Sequence, residues 1–175
     1  MPDVRIEPWE SGNTELLQAL LGDPVMMEHL GGPEQADKIA VRQADYEQPG
    51  SRQYRVASGD AGVGWVGYWE REWGGLQVYE MGWSVLPAFQ GQGIAGAAAA
   101  ALLAHVRGEN SRRSVHAFPA VNNAPSNAIC RKLGFELLGP VDFEYDRGTI
   151  MRCNDWRFEL LVDDASEHRA EERVP

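Results

Sequence analysis

The stretch Met81–Arg107, MGWSVLPAFQGQGIAGAAAAALLAHVR, constrains what this chain can fold into more than any other. A strand-like run ends at Leu86. Pro87 and Phe89 carry the chain over to the turn Gln90-Gly91-Gln92-Gly93, and an alanine-rich helix follows through Arg107. The first turn of a helix has N–H groups without intrahelical partners, and these donors share one end with the positive pole of the helix dipole. Such an end attracts an anion. The stretch is therefore expected to hold a phosphate that belongs to a cofactor. A helix of this length also carries the chain back over a sheet, so the next strand is expected to run parallel to the one before it.

Around that crossover the chain reads as α+β. Val4–Trp9 alternates as a first strand. Ser11 or Asn13 caps a helix over Thr14–Leu21, ended by Gly22, and Asp23-Pro24 opens a second helix through Leu30. Pro33–Gln48 reads as a third helix, with Ala36, Ile39, Ala40 and Gln43 along one side. From Arg52 to Leu86 the pattern changes to a three-strand antiparallel meander. Gly59-Asp60-Ala61-Gly62 and Trp73-Gly74-Gly75 supply its turns, and Gly64 and Gly67 mark a bulge or close backbone approach. After the long helix come a strand at Ser114–Phe118, a loop at Pro119–Pro125, and a short helix at Ser126–Leu133 capped by Gly134. Strands follow at Phe135–Leu138 and Thr149–Leu161, joined by a loop at Asp142–Gly148. One domain spans residues 1–162, and 163–175 reads as an acidic disordered tail.

Composition removes several classes of function. A formal net charge of −10 argues against a nucleic-acid partner and suits a cationic substrate or plain solubility. Cys130 and Cys153 are too few for a disulfide framework, and His29, His105, His116 and His168 have no metal-ligand spacing, so no metal is expected. No apolar run is long enough for a membrane span and MPDVRIEPWE is not a signal peptide, which predicts a cytoplasmic protein. A homodimer is left open.

Gly91–Gly96 fits G-x-G-x-x-G, the dinucleotide fingerprint, but three features oppose NAD. The turn follows an antiparallel meander, Pro87 and Phe89 intervene between strand and turn, and the next strand offers Val115, His116 and Ala117 where a ribose-binding acid belongs. A second motif lies downstream: Asn123-x-x-Ser126, then Lys132-Leu133-Gly134-Phe135. Gln90-Gly91-Gln92-Gly93-Ile94-Ala95 together with Asn123, Ser126 and Gly134-Phe135 resembles the GNAT superfamily of acyl-CoA-dependent N-acetyltransferases. Asp23-Pro24-Val25-Met26 and Glu80-x-Gly82 resemble its branch containing ribosomal-protein N-terminal acetyltransferases.

The resemblance implies a mixed, mostly antiparallel sheet flanked by helices, with two splayed parallel strands at the cofactor. Acetyl-CoA would be the acyl donor. Main-chain amides of Gln92, Gly93, Ile94, Ala95 and Gly96 would hold its pyrophosphate, with Gln90 and Gly91 as further cofactor-binding residues of the same clamp. The pantetheine arm would lie along Gly82–Leu86, Asn123 and Ser126 would bond it near the thiol, and Arg131 or Lys132 would meet the adenosine phosphates. Transfer to a primary amine, small molecule or peptide N-terminus, would proceed by direct attack in a ternary complex. Glu80 is the candidate base or ammonium anchor. A backbone N–H at Val85 or Leu86 would polarise the carbonyl. Where many members have a tyrosine as proton donor, this chain has Cys130, so Cys130, Ser126 or water would supply the proton; a buried apolar role for Cys130 is the competing reading. The substrate end would be built from Asp23–Pro33, Trp69–Gly75 and Asp142–Gly148. Trp69 and Trp73 are candidates to stack on a cation, and Glu70, Glu72, Asp142, Glu144 and Asp146 to form an acidic mouth. Alternatives are a non-catalytic acyl-CoA sensor and an acyltransferase with a longer donor.

Overall fold

The computed structural model describes residues 3–146 and 148–160; the acidic tail and the domain end at 162 lie outside the described residues. A seven-stranded sheet runs in the order β1-β2-β3-β4-β5-β7-β6. Its strands are β1 (Val4–Pro8), β2 (Gln53–Ser58), β3 (Ala61–Trp73), β4 (Leu76–Val85), β5 (Ser114–Ala117), β6 (Glu136–Asp146) and β7 (Thr149–Glu159). The α-helices among the described residues are α1 (Thr14–Leu21), α2 (Ala36–Tyr46), α3 (Ile94–Glu109) and α4 (Ala124–Lys132). Every neighbouring strand pair is antiparallel except β4 and β5. The meander and the parallel crossover are therefore present as the sequence predicts.

The crossover works because α3 is narrow on one side. Ile94, Ala98, Ala99, Leu102, Leu103 and Val106 are its buried residues, a stripe at helical spacing. Alanine at two of these positions brings the helix close to Val56, Val66, Tyr79 and Met81 in the main core. The opposite face of the sheet carries a smaller cluster of Trp9, Leu17 and Ile39, with Tyr46 and Trp65 packed against it. Gly64 and Gly67 show the close approach their pattern predicts. An added Cβ at Gly64 would stand 2.3 Å from the Ser84 carbonyl oxygen, and the β2–β3 register shifts beside it, between Val56 and Ala57.

Four local expectations change. Asn13 precedes α1, yet its side chain makes no capping bond; a short 3-10 turn at Ser11–Asn13 leads in instead. Asp23–Leu30 is a series of turns ending in a 3-10 turn at Glu28–Leu30. Asp23 Oδ1 accepts from the N–H groups of Val25 and Met26, and Gly31 at φ 86° stops the coil before a full helix can propagate. In α2 the buried residues are Ile39 and Gln43, whereas Ala36 and Ala40 face solvent. Gln43 accepts a bond from Trp9 Nε1 at 3.0 Å, which sets that face. Finally, the loop expected at Asp142–Gly148 is mostly hairpin: β6 pairs with β7 through Val141↔Cys153, Asp142↔Arg152, Phe143↔Met151 and Glu144↔Ile150. Phe143 points into the core and its acidic neighbours point out, a period of two that the charge density obscured.

Candidate active site

The glycine turn is built for main-chain contact. Gly91 and Gly93 have φ of 73° and 79°, left-handed values that residues with a Cβ rarely adopt, and no atom lies within 4 Å of a Cβ built on either. Gly93 is the residue before α3, and its carbonyl accepts from Ala97 N–H at 3.0 Å. The N–H groups of Ile94, Ala95 and Gly96 precede that bond and have no intrahelical partner. The Ile94 side chain is buried, so its main chain alone faces the turn. The glutamines brace the loop. Gln92 Nε2 donates to Ala88 O at 3.2 Å, and Gln90 Nε2 donates to Val85 O at 2.9 Å and reaches Met26 Sδ at 3.6 Å.

The strand before the turn separates from its parallel neighbour. β4 and β5 are joined at Tyr79↔Val115 and Glu80↔His116. Beyond that couple β4 continues beside β3, at Gly82↔Gly67, and β5 continues beside β7, at Ala117↔Trp156. A V-shaped gap opens between them, with Glu80 and His116 at its apex and the glycine turn toward its wide end. Leu86 N–H donates to Val63 O at 2.9 Å across the β3 side. Alternation along an antiparallel pair then turns the main-chain groups of Trp83 and Val85 toward the gap. Of the two expected carbonyl-polarising amides, Leu86 is therefore already engaged and Val85 is the one aimed at the opening.

α4 starts at the other wall of the gap. Asn123 is its N-cap, and Asn123 Oδ1 accepts from Ser126 N–H at 3.2 Å, so the amide oxygen expected to meet a cofactor arm is occupied by the cap. Ser126 is half-buried in the first turn. Lys132 is exposed at the far end of the helix, about 13 Å along its axis from Asn123 at the standard rise. Cys130 faces inward with no exposure. Burial pushes its thiol up to about 12. That combination corrects its candidacy as proton donor: the thiol cannot meet substrate and is a weaker acid than an ordinary cysteine. The sequence reading missed Asn127. This buried amide donates to Ala120 O at 2.9 Å and to Asn123 O at 2.8 Å, and accepts from Asn154 Nδ2 and Trp156 Nε1 at 2.8 Å each. It pins the loop before α4 to β7.

Glu80 heads a polar row on the α1–α2 face of the sheet. Its carboxylate is buried, and Oε2 accepts from Arg71 Nη1 at 2.6 Å and from Trp69 Nε1 at 3.1 Å. Both donors use Oε2, which leaves Oε1 for a ligand. Burial raises the Glu80 carboxyl above its usual value, and the Arg71 guanidinium offsets that only in part. The neighbouring strands extend the row. His116 Nδ1 is 2.6 Å from Asp155 Oδ1, and Asp155 Oδ2 accepts from Trp73 Nε1 at 2.8 Å. Aromatic rings wall it: Tyr46, Trp65 and Trp69 stack in series, and Phe118 lies 4.7 Å from Trp73 and 4.5 Å from Phe143. Arg71 sits 4.4 Å over Phe143. Thr149, the first residue after the expected Asp142–Gly148 segment, comes within 3.1 Å of where a Gly31 Cβ would be, so the β6–β7 hairpin lies against the Asp23–Pro33 segment. The expected acidic mouth is dispersed. Glu70 pairs with Arg112, Asp142 pairs with Arg152, and Glu144 accepts from Gly148 N–H. A shallow depression of about 330 Å³ between α2 and β2, lined by Tyr46, Arg52 and Trp69 among others, includes neither Glu80 nor the glycine turn.

The model of the acetyltransferase (GNAT) domain matches residues 3–136. The chain belongs to the GNAT family. No curated protein matches the sequence. Solved structures with the same GNAT fold include yncA from Salmonella typhimurium with its cofactor acetyl-CoA, at 17% identity and a TM-score of 0.74 over 96% of this chain and 99% of that one. The ribosomal L7/L12 alpha-N-protein acetyltransferase RimL, in complex with coenzyme A, aligns at 20% identity and a TM-score of 0.71, over 90% and 94% of the two chains. The aminoglycoside acetyltransferase AAC(6')-Ib, also with coenzyme A, aligns at 17% and 0.71, over 90% and 95%. Among the described residues no group of three His, Cys, Asp or Glu side chains gathers as a metal site, and no helix is long and apolar enough to cross a membrane.

Proposed function

We propose that this GNAT protein transfers an acetyl group from acetyl-CoA to a primary amine by direct attack in a ternary complex. The observation that carries the reading is the alignment of three features along one groove: an anion-ready glycine turn, an unpaired edge of β4, and a buried carboxylate with one free oxygen at the apex. The N–H groups of Gln92–Gly96 hold the pyrophosphate, and the arm enters between β4 and β5 as an added strand would, with Ser126 beside it. Its thioester end then points toward the apex, while Val85 N–H, nearer the glycine turn, faces the arm along the groove. Glu80 Oε1 anchors the incoming ammonium and removes its first proton. A raised carboxyl value makes that oxygen a better base near neutrality. The acceptor is a small amine or a peptide N-terminus, and the rings around Glu80 favour a cationic group.

Calorimetric titration tests the cofactor half of this reading. Acetyl-CoA and CoA bind at one site per chain, NAD does not bind, and Gly93→Ala weakens both CoA ligands. A chain that takes NAD, or neither ligand, refutes it.

A further inference from the structure

The buried pair His116–Asp155 has no place in the scheme above, and that scheme lacks a proton donor for the leaving thiolate. Resting on the acetyltransferase reading, we propose that His116 carries a proton from the attacking amine to the CoA sulfur, with Asp155 as its positioning residue.

Geometry supports the assignment at three points. Asp155 is a carboxylate and accepts only, so the 2.6 Å contact puts the hydrogen on Nδ1 of the neutral ring and the lone pair on Nε2. Trp73 Nε1 holds the second oxygen of Asp155, and Phe118 stacks on the imidazole at 5.9 Å, so the ring cannot turn freely. Nε2 itself has no protein partner among the described residues. The register of β4 and β5 places that acceptor at the point where the two strands part.

The location is the apex of the gap. His116 is the register partner of Glu80 in the last couple before β4 and β5 part, and parallel partners project to the same face. The charged groups that face it are Asp155 from β7 and Glu80 from β4; Arg71 from β3 lies behind Glu80 and is matched by it.

The proton balance closes. An ammonium gives its first proton to Glu80 Oε1, which releases it to water. The amine nitrogen then attacks the thioester carbon: the C–N bond forms, the carbonyl pair moves to oxygen, and Nε2 takes the second N–H proton. When the oxygen pair re-forms the carbonyl, the C–S bond breaks with its electrons on sulfur. The imidazolium returns the proton to that sulfur. The products are amide and thiol, and His116 is neutral again.

Thiol release with a competent amine, measured for the parent, His116→Gln and Asp155→Asn, tests the proposal. His116→Gln lowers kcat by about 100-fold, the ordinary yield of acid–base catalysis, with the acetyl-CoA Kd unchanged. Asp155→Asn lowers kcat less and displaces the pH–rate profile, and imidazole restores part of the rate of His116→Ala. An H116Q variant that keeps the parent kcat overturns the proposal alone; a parent that acetylates no amine overturns the acetyltransferase reading with it. Because both residues are buried, ¹⁵N NMR of the parent supplies a second arm. The Nδ1-protonated neutral tautomer is expected, with the Nε2 signal moving on addition of CoA and not of its desulfo analogue. The other tautomer, or equal shifts with both ligands, overturns it.

Discussion

Replacing Asn127 by alanine removes a side chain that makes four hydrogen bonds, and the consequence can be worked out partner by partner. Asn123 O keeps the bond it accepts from the residue 127 main-chain N–H, so it loses no satisfaction. Asn154 is half-buried and its amide reaches water. Ala120 O likewise keeps the bond it accepts from Asn123 N–H, so Trp156 Nε1, on a buried residue, is the group left orphaned. One orphaned group at about 1–3 kcal/mol gives roughly 2 kcal/mol. Alanine returns about 0.6 kcal/mol through its better helix propensity, leaving a net loss of about 1.4 kcal/mol. With an m-value of about 2 kcal/mol per molar urea, the unfolding midpoint falls by about 0.7 M while m stays constant. Because Asn127 also holds Ala120–Asn123 against β7, acetyl-CoA affinity falls in the same variant. Urea titration followed by tryptophan fluorescence reads the first effect and calorimetry the second. A midpoint within about 0.3 M of the parent, well under the worked shift, would show that Asn127 is not the node described.

Other perturbations separate the parts of the site. Gly93→Ala places a Cβ at a left-handed φ of 79° with no steric neighbour, so it costs about 1–2 kcal/mol of stability in urea titration and a larger share of acetyl-CoA affinity by calorimetry. Glu80→Gln keeps acceptors for Trp69 and Arg71 but drops turnover by roughly 10²–10⁴ in the thiol-release assay. Its effect on stability has the opposite sign. A carboxyl raised by burial holds its proton more tightly folded than unfolded, so it costs stability as pH rises from the unfolded value through the folded one. The glutamine variant is accordingly at least as stable as the parent by thermal melting at pH 8, and a clear loss there would contradict the assigned direction. Cys130→Ala leaves a cavity in the core and lowers the melting temperature, while turnover per folded molecule persists; loss of turnover at full folding would restore the thiol as a reacting group.

Local signals made part of this molecule legible in the sequence. The glycine turn and the crossover helix are each written within a few consecutive residues, so turn rules and helical spacing expose them, whereas Asn123, expected to bond a cofactor arm ahead of a helix starting at Ser126, is the cap of a helix that starts at Ala124. The Asp142–Glu144 stretch was misread because its charges alternate with Val141, Phe143 and Tyr145, and a solvated strand face looks like a loop when charge is counted instead of period. The row of Arg71, Glu80, His116 and Asp155 was out of reach for a different reason. Its members lie on four strands, with 39 residues separating His116 from Asp155, and strand register alone brings them together. The commitment of Leu86 N–H to Val63 likewise depends on which edge each amide faces, a property of pairing that no single strand displays.

The central claim is that the groove joins acetyl-CoA to an amine at Glu80. Thiol release from acetyl-CoA across a panel of amino acids, polyamines, aminoglycosides and N-terminal peptides tests it most directly, with mass spectrometry of each acceptor. At least one amine should accelerate release above the amine-free rate and carry an acetyl group, and Glu80→Gln should abolish that acceleration while still binding acetyl-CoA. A panel in which no amine gains an acetyl group, or a Glu80→Gln variant as active as the parent, would contradict the account.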